Sequence, residues 1–280
     1  QLLEFLLRFL NRRKVAWLAA TERCNAPAKI RASMQSSASP LDFVVRKLAT
    51  RVALDERDRA AILSLPHVVR TCPPSSYLVR EGESPHKFCA LILSGLAFRQ
   101  KSTAQGARQI VSLHLPGDFL DLQNLFLEIS DHNVQALTAL ETIGIERDAL
   151  RQLTLHNPAV GKAMWTEAQV EASIYREWVT NVGRRDARSR IAHVLCEFAL
   201  RMKAAGLCAG TRFELPVTQE QLAHMAGLTP VHVNRTLRSL VEDGIVHRDR
   251  RFIGFSNWSE IRALADFNPY DKDPTGTFFN

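Results

Sequence analysis

The chain of 280 residues is 46% apolar, which excludes a disordered polypeptide and provides enough core for two modest domains. Its 36 Lys and Arg against 29 Asp and Glu give a formal net charge of +7, which favours an anionic partner, either nucleic acid or an anionic membrane surface. The cysteines are odd in number and form no CxxC pair, so neither a disulfide framework nor a structural zinc site is indicated, and a reducing cytoplasm fits best. They are Cys24, Cys72, Cys89, Cys196 and Cys208.

Residues 1–40 are interpreted as an N-terminal extension. The run "QLLEFLLRFL" is interrupted by Glu4 and Arg8 and is too short to span a bilayer, and the basic "NRRK" follows it, whereas a signal peptide has its charges in front. The first methionine, Met34, stands directly before the polar "QSSASP", which suggests a natural start there. The alternative is that residues 1–33 form an extra amphipathic helix that packs on the domain or on a partner.

The segment 41–155 is predicted to be a β-rich domain that opens with short helices. Apolar residues recur three or four apart from Leu41 to Leu63, which is a helical spacing. The runs "YLV", "CALILSG", "QIVSLHL" and "TIGIE" follow between residues 68 and 145, and each is typical of a strand. The turns "REGE", "LSGL" and "LPGDF" punctuate them. An antiparallel roll or barrel is therefore expected. The turn glycines are Gly82, Gly95 and Gly117.

A long helix is predicted across residues 156–183, ending where Gly183 interrupts it. Its apolar residues form one seam, which needs a partner. That partner is either the same helix of a second chain, which the length of the helix favours, or the chain's own β domain. The predicted dimer contacts are Val160, Ala163, Val170, Ile174 and Trp178. A second helix follows and ends at Gly206, with Ile191, Leu195, Phe198 and Met202 on its buried face.

Dense local signals between residues 213 and 255 predict a helix-turn-helix. Thr218 and Gln221 form a capping box that opens a short helix, and Gly227 ends it. Thr229 is the N-cap of the next helix, with Pro230 at its first position. Helix, glycine turn and helix make a helix-turn-helix. The second helix has an inward stripe of Val233, Leu237 and Leu240 and an outward stripe of Val231, Asn234, Arg235 and Arg238.

The following "GIVHRDRRFIGFS" predicts a hairpin with basic residues at its tip, which makes the unit a winged helix-turn-helix. The second helix fits a major groove, where Arg235 can donate to guanine O6 and N7, Asn234 can pair with adenine, and Val231 can pack on a thymine methyl. Arg238 completes the predicted base contacts. His232 is expected to touch a phosphate, to pack against the first helix or to read a base. The predicted backbone contacts are Thr218, Gln219, Thr229, His232, Arg248, Arg250 and Arg251, supported by Arg184, Arg185, Arg188 and Arg190.

These motifs resemble the Crp/Fnr family of bacterial transcription regulators over residues 41–267. The segment "VTQEQLAHMAGLTPVHVNRTLRSLVEDGIV" resembles the family's winged helix-turn-helix, and the glycine turns resemble those of its cyclic-nucleotide-binding-type roll. The resemblance implies an α+β fold: an antiparallel β roll, a long dimerisation helix, a DNA-binding domain at 184–268 and a tail at 269–280. It also implies a homodimer on an inverted repeat of double-stranded DNA, with RNA polymerase as a further candidate partner.

The sequence departs from the family at the cyclic-nucleotide pocket and in the recognition helix. Members that bind cyclic AMP carry Gly-Glu after the "GDF" turn and an Arg-Ser pair about ten residues later. Here Asp121 and Leu122, then His132 and Asn133, stand at those positions, so the ribose acceptor and the phosphate clamp are missing and cyclic AMP binding is not expected. An unidentified effector remains open. Val231 stands where glutamate commonly reads a cytosine, so a shifted base preference is expected.

Other chemistries have little support in the sequence. The iron–sulfur members of the family resemble one another in an N-terminal cysteine cluster, and this chain offers only Cys24 there, so an iron–sulfur site is not indicated. A metal or haem site built from His86, Cys89 and nearby histidines is conceivable, but unconnected core and surface residues explain them as well. We find no nucleophile–base pair, metal-ligand spacing or phosphate-binding loop, so no enzyme, cofactor or metal is predicted. A protein-interaction module is the remaining alternative, because winged helices sometimes bind proteins.

Overall fold

The computed structural model describes residues 39–84, 86–208 and 212–268. The proposed start at Met34, the alternative amphipathic helix, Cys24 and the tail 269–280 lie outside these residues. None of the helices within the described residues combines the length and the hydrophobicity that a membrane span requires.

The N-terminal domain is a β roll of two antiparallel sheets, preceded by two short helices. One sheet has the order β1-β7-β3 and the other β2-β6-β4-β5. Gly95 shows why glycine is needed at one turn: its φ is +86°, and a Cβ there would lie 2.1 Å from the Ala139 carbonyl oxygen. The elements are α1 Asp42–Ala49, α2 Glu56–Leu63, β1 His67–Cys72, β2 Tyr77–Val79, β3 Phe88–Ser94, β4 Ala97–Ser102, β5 Arg108–His114, a 3₁₀ turn Leu122–Leu125, β6 Asn133–Ala136 and β7 Leu140–Glu146.

The four predicted strand runs are confirmed as β2, β3, β5 and β7, whereas β1, β4 and β6 were not predicted. Strand β4 carries two polar side chains, Arg99 and Gln100, that are almost fully buried. A buried strand is normally recognised by a run of apolar residues, and these two polar residues interrupt that run.

Three helices link the roll to the C-terminal domain: α3 Arg147–His156, α4 Pro158–Arg184 and α5 Ala187–Ala204. Asn157 caps α4 by accepting a hydrogen bond from the Val160 amide, and Pro158 occupies its first turn. Helix α4 continues through Gly183, so the predicted interruption there is wrong. The break comes two residues later, because Asp186 caps α5 by accepting from the Ser189 amide.

Three of the predicted dimer contacts on α4 are buried within the chain instead. Val160 and Ala163 are fully buried in a core with α1 and the roll. Trp178 packs against α5, and its Nε1 donates to Glu197 Oε2 at 2.6 Å. The assignment of these three residues to a dimer contact is therefore wrong. The alternative partner, the chain's own β domain, holds for Val160 and Ala163 but not for Trp178, which packs on α5. Val170 and Ile174 are half-buried.

The C-terminal domain is a winged helix with a three-stranded sheet of order β8-β10-β9. Helix α5 supplies its core, where Phe198, Phe213 and Phe255 stack at tilted or edge-on angles. Strand β8 was not predicted; it extends the hairpin wing into a small sheet. The elements are β8 Arg212–Glu214, α6 Gln219–Ala226, α7 Pro230–Glu242, β9 Val246–Asp249, β10 Phe252–Phe255 and α8 Trp258–Leu264.

The β roll and the C-terminal domain share one hydrophobic core, in which Phe98 and Ile110 of the roll pack with residues of α5. Strand β5 also contacts α6 directly. Arg108 Nε donates to His224 Nδ1 at 3.0 Å, and Gln109 Nε2 donates to the Met225 carbonyl at 3.3 Å. The first helix of the helix-turn-helix is therefore docked on the edge of the roll.

His193 on α5 is expected to make the fold acid-sensitive. Burial lowers its pKa to about 4, and Arg185 adds to this. Because the unfolded chain titrates near 6.5, it binds more protons than the folded chain between pH 6.5 and 4, so the free energy of unfolding falls as the pH falls through that window, by up to about 3 kcal/mol. In denaturant unfolding experiments, the free energy of unfolding of His193→Asn should fall less between pH 6.5 and 4 than that of the wild type. His156→Asn, at an exposed position, is the control. If the free energy of unfolding of His193→Asn depends on pH as steeply as that of the wild type, the assignment to His193 is contradicted.

Candidate nucleic-acid interface

The first helix of the helix-turn-helix has the predicted boundaries. Thr218 Oγ1 accepts from the Gln221 amide at 3.1 Å, and Gln221 Oε1 accepts from the Thr218 amide at 2.8 Å, so the capping box is confirmed. Gly227 ends the helix at φ +63°, in the left-handed region. This sharp stop lets α7 begin three residues later.

The second helix, α7, presents the predicted outward stripe to solvent. Thr229 Oγ1 accepts from the His232 amide at 3.3 Å, and Pro230 follows as the first helical residue. Val233 and Leu240 are fully buried, whereas Val231 is 70% exposed. The exposed polar members of the helix include His232, Arg235 and Arg238. The predicted division into inward and outward faces is confirmed, with Thr236 as an additional buried residue.

Asn234 is held in place by the first helix. It is half-buried, and its Nδ2 donates to Gln219 Oε1 at 3.2 Å. The amide of Asn234 is thereby oriented before any ligand arrives. Gln219, which was predicted to touch the DNA backbone, lies against Asn234 and acts as its support.

The wing brings three arginines to one tip. Strands β9 and β10 pair from Asp249 with Phe252, which leaves Arg250 and Arg251 in a two-residue turn, and Arg250 has φ +53°. Arg248 and Arg250 are exposed. Arg251 is also exposed, with Glu214 as a distant ion-pair partner at 3.9 Å. Pairs of this kind contribute little, so the charge remains available to a phosphate.

The arginines around the start of α5 are mostly structural. The side chain of Arg185 is largely buried and pairs with Glu177 and Asp266, at 3.1 and 3.2 Å. Arg188 pairs with Asp243 at 2.6 Å at the end of α7. The predicted phosphate-binding role is therefore wrong for the buried Arg185. It is also wrong for Arg190, which donates to the carbonyls of Arg185, Ala226 and Gly227. For Arg188, whose side chain is 36% exposed, that role stays a prediction. Arg184 is exposed. Sequence offers no signal for these distant acidic partners.

Inside the β roll, the four residues that the sequence aligned with the family's cyclic-nucleotide pocket are buried or make contacts within the chain. Asp121 is buried and accepts from the Ala90 amide at 2.9 Å, and burial raises its pKa. His132 is buried beside Asp131, with 2.6 Å between Nδ1 and Oδ1, and burial lowers the pKa of the imidazole. Asn133 Oδ1 accepts from the Glu81 amide. Leu122 is buried.

Arg99 and Glu171 are the two residues of this region that sequence reasoning missed. The Arg99 guanidinium, 4% exposed, donates to Glu171 Oε1 at 2.8 Å and to the Leu120 carbonyl at 2.7 Å. It also lies over the Tyr175 ring. The pair ties strand β4 of the roll to helix α4. An arginine within the apolar run "GLAFRQ" was the signal that could have indicated it.

The described residues do not assemble a site of the kind that the metal or haem hypothesis requires. In the part of the chain that the structure describes, no three His, Cys, Asp or Glu side chains come together in a group that could hold a metal ion. Cys89, Cys196 and Cys208 are buried. Burial raises the pKa of the Cys89 thiol, which makes it a packing residue rather than a reactive one.

A helix-turn-helix with a basic wing, joined through a long helix to an antiparallel β roll, defines a winged-helix nucleic-acid-binding protein with a sensor-type N-terminal domain. Comparison with known families agrees with this class. Residues 189–264 match the Crp-like helix-turn-helix domain, and residues 69–157 match the cyclic nucleotide-binding domain. The chain belongs to the Crp/Fnr family of transcription regulators.

Individual relatives show how far the likeness extends. The transcriptional activator protein FnrL of Cereibacter sphaeroides is 31% identical over 162 residues, which are 57% of this chain and 64% of that protein. The transcriptional activator protein FnrA of Stutzerimonas stutzeri is 22% identical over 85% of this chain and 96% of its own length. The structure of FixK2 from Bradyrhizobium japonicum shares the fold, with a TM-score of 0.64 at 22% identity, covering 71% of this chain and 98% of that one.

Proposed function

We propose that this protein is a sequence-specific transcription regulator that binds an inverted-repeat operator as a homodimer, in the bacterial cytoplasm. The exposed stripe of α7, flanked by a wing whose tip is cationic, is the observation that carries the proposal. The helix matches a major groove in width, and the wing matches the neighbouring phosphates. RNA polymerase is a further partner in this proposal.

The base contacts divide between four side chains. Arg235, exposed one turn into α7, donates two hydrogen bonds to a guanine. Asn234, held by Gln219, pairs with an adenine. Val231, 70% exposed, packs on a thymine methyl and offers no carboxylate to a cytosine. Arg238 reaches the flanking base. The backbone contacts come from Thr218, Thr229, His232, Arg248, Arg250 and Arg251, which add affinity without sequence choice.

The dimer contact is a second face of α4 that differs from the predicted one. Trp165 is 68% exposed and Val179 is 70% exposed, although both are large and apolar. Together with neighbours at alternating spacings of three and four residues they form a heptad stripe, as in a two-stranded coiled coil. The stripe is Trp165, Ala168, Ala172, Tyr175, Val179 and Val182. Its alanines let two copies approach closely, and the twofold axis places the recognition helices about 34 Å apart.

The regulator does not respond to cyclic AMP in this proposal. The position of the phosphate clamp holds His132 and Asn133, and the interior holds Arg99, whose charge is already matched by Glu171. A cyclic phosphate that took Arg99 as its partner would displace Glu171 and leave that carboxylate without a partner. The Arg99–Glu171 pair instead connects the roll to the dimer helix without a ligand.

Replacing Arg235 by alanine tests the recognition helix. We expect the affinity for an operator selected from random duplexes to fall by about 1–3 kcal/mol, or roughly 5- to 150-fold, with relaxed choice at a single base pair. Arg250→Ala is the matched control. It should weaken binding to all duplexes equally and reduce the salt dependence of the affinity by the equivalent of about one phosphate contact. Fluorescence anisotropy with labelled duplexes measures both.

Two outcomes would contradict the proposal. If Arg235→Ala binds the selected operator as tightly as the wild type, α7 is not the recognition helix. If binding to duplex DNA does not fall steeply with salt, the phosphate contacts are absent and a protein-interaction module is the better interpretation.

A further inference from the structure

A cavity of about 570 Å³ lies between the β roll, helix α4 and helix α5. Its volume falls within the roughly 300–1,000 Å³ of typical small-molecule sites. The lining includes Leu122 but not Asp121, His132 or Asn133. The cavity is therefore distinct from most of the family's cyclic-nucleotide position and lies on the side of the roll that faces the C-terminal domain.

The apolar part of the wall comes from both halves of the chain. Leu113 and Leu115 belong to the roll, Val170 and Ile174 to α4, and Leu200 to α5. Val170, Ile174 and Leu200 are half-buried, so each keeps part of an apolar surface open toward the cavity. An apolar molecule that covered this surface would be favoured by the hydrophobic effect.

The charged part of the wall is balanced within itself. Lys47 and Arg51 pair with Glu167 at 2.8 and 2.7 Å. Arg201 pairs with Asp118 and, at 3.3 Å, with Glu197. The remaining acid, Glu171, is matched from behind the wall by Arg99. Four acids therefore face four bases, and a ligand with a net charge would add an uncompensated charge to a largely buried site.

Uncharged hydrogen-bonding groups are also present in the wall. Ser112 Oγ and His114 Nε2 lie 3.0 Å apart, and both side chains are buried. Burial lowers the pKa of His114 well below its usual range, with Arg99 and Arg201 adding to the effect. The imidazole is therefore neutral at pH 7 and offers a polar contact without a charge.

We infer that this cavity is a binding site for an uncharged, mainly apolar small molecule that carries a hydrogen-bonding group. A ligand seated there would touch the turn after β5, helix α4 and helix α5 at the same time. This inference goes beyond the proposed function: it concerns a small-molecule site, and binding of a small molecule to the cavity can be measured without DNA.

A pair of aromatic dyes tests both the site and the charge class. N-phenyl-1-naphthylamine is uncharged, and 8-anilinonaphthalene-1-sulfonate has the same rings with an added sulfonate. Titrated into the full chain without DNA, the uncharged dye is expected to show a saturable rise in fluorescence at one dye per chain, with at least tenfold tighter binding than the sulfonate. No saturable binding, or tighter binding of the sulfonate, would overturn the inference.

Cavity-filling variants locate the bound dye. Val170→Phe should weaken binding of the uncharged dye at least tenfold, whereas Val69→Phe, the same change on exposed strand β1, should leave it within twofold. Ala204→Trp fills the cavity from an exposed rim position, so it keeps the test decisive if Val170→Phe misfolds by circular dichroism. If a folded filling variant binds the dye as tightly as the wild type, the cavity is not the site.

Discussion

Replacing Ala172 by glutamate on the α4 stripe is expected to convert the proposed dimer into a monomer. The residue is at the middle of the stripe that runs from Trp165 to Val182, and two copies would meet across the twofold axis. Two like charges would be buried in an apolar contact without partners, at a cost of several kcal/mol. We expect the dissociation constant of the dimer to rise at least a thousandfold, which corresponds to about 4 kcal/mol. Sedimentation equilibrium measures the change.

The affinity for the operator should also decrease when the dimer dissociates, because each monomer then binds one half-site alone. The matched control is Ala104→Glu, an identical change at an exposed position between β4 and β5, and it should leave the dimer unchanged. A second variant, Val160→Ala, separates the two faces of the helix. It should lower stability by creating a cavity while the protein stays dimeric. A dimeric Ala172→Glu would show that the stripe is not the interface.

Replacing Glu171 by leucine is expected to lower the free energy of unfolding by about 3–5 kcal/mol. The change leaves the Arg99 guanidinium buried inside the roll without its carboxylate. Thermal or urea denaturation followed by circular dichroism measures the loss. Glu83→Leu, at an exposed loop position, is the control and should change stability by less than about 0.5 kcal/mol.

The double variant Arg99→Leu with Glu171→Leu should recover most of that loss. Burial is the largest influence on both groups: it raises the pKa of Glu171 and lowers the pKa of Arg99. The cost of desolvating the two charges therefore outweighs the attraction between them. Removing both charges is therefore expected to be nearly neutral or stabilising. If the double variant is as unstable as Glu171→Leu alone, the loss comes from packing and not from an unpaired charge.

The C-terminal domain shows how much a sequence can predict when the signals are local. The capping box of Thr218 and Gln221, the left-handed Gly227, and Thr229 followed by Pro230 each act within a few residues. Their physics does not depend on distant parts of the chain. Helix boundaries and the outward face of α7 therefore follow from the sequence alone.

Features that depend on distant partners were missed or misassigned. Strand β4 escaped because its polar residues Arg99 and Gln100 are buried in the roll, where Glu171 of α4 compensates the charge of Arg99. Arg185 looked like a phosphate ligand, because its acidic partner Asp266 is 81 residues away in the chain.

Helix α4 shows the same division within one element. Its sequence determined that a long helix with apolar faces forms, and the family resemblance implied a dimer. It did not determine which face meets which neighbour, because two apolar stripes run side by side, and periodicity records only that a residue is apolar. The tertiary structure decided this: the roll and α5 cover Val160, Ala163 and Trp178, while Trp165 and Val179 remain open. Burial is a property of the whole fold, and only the packed chain specifies it.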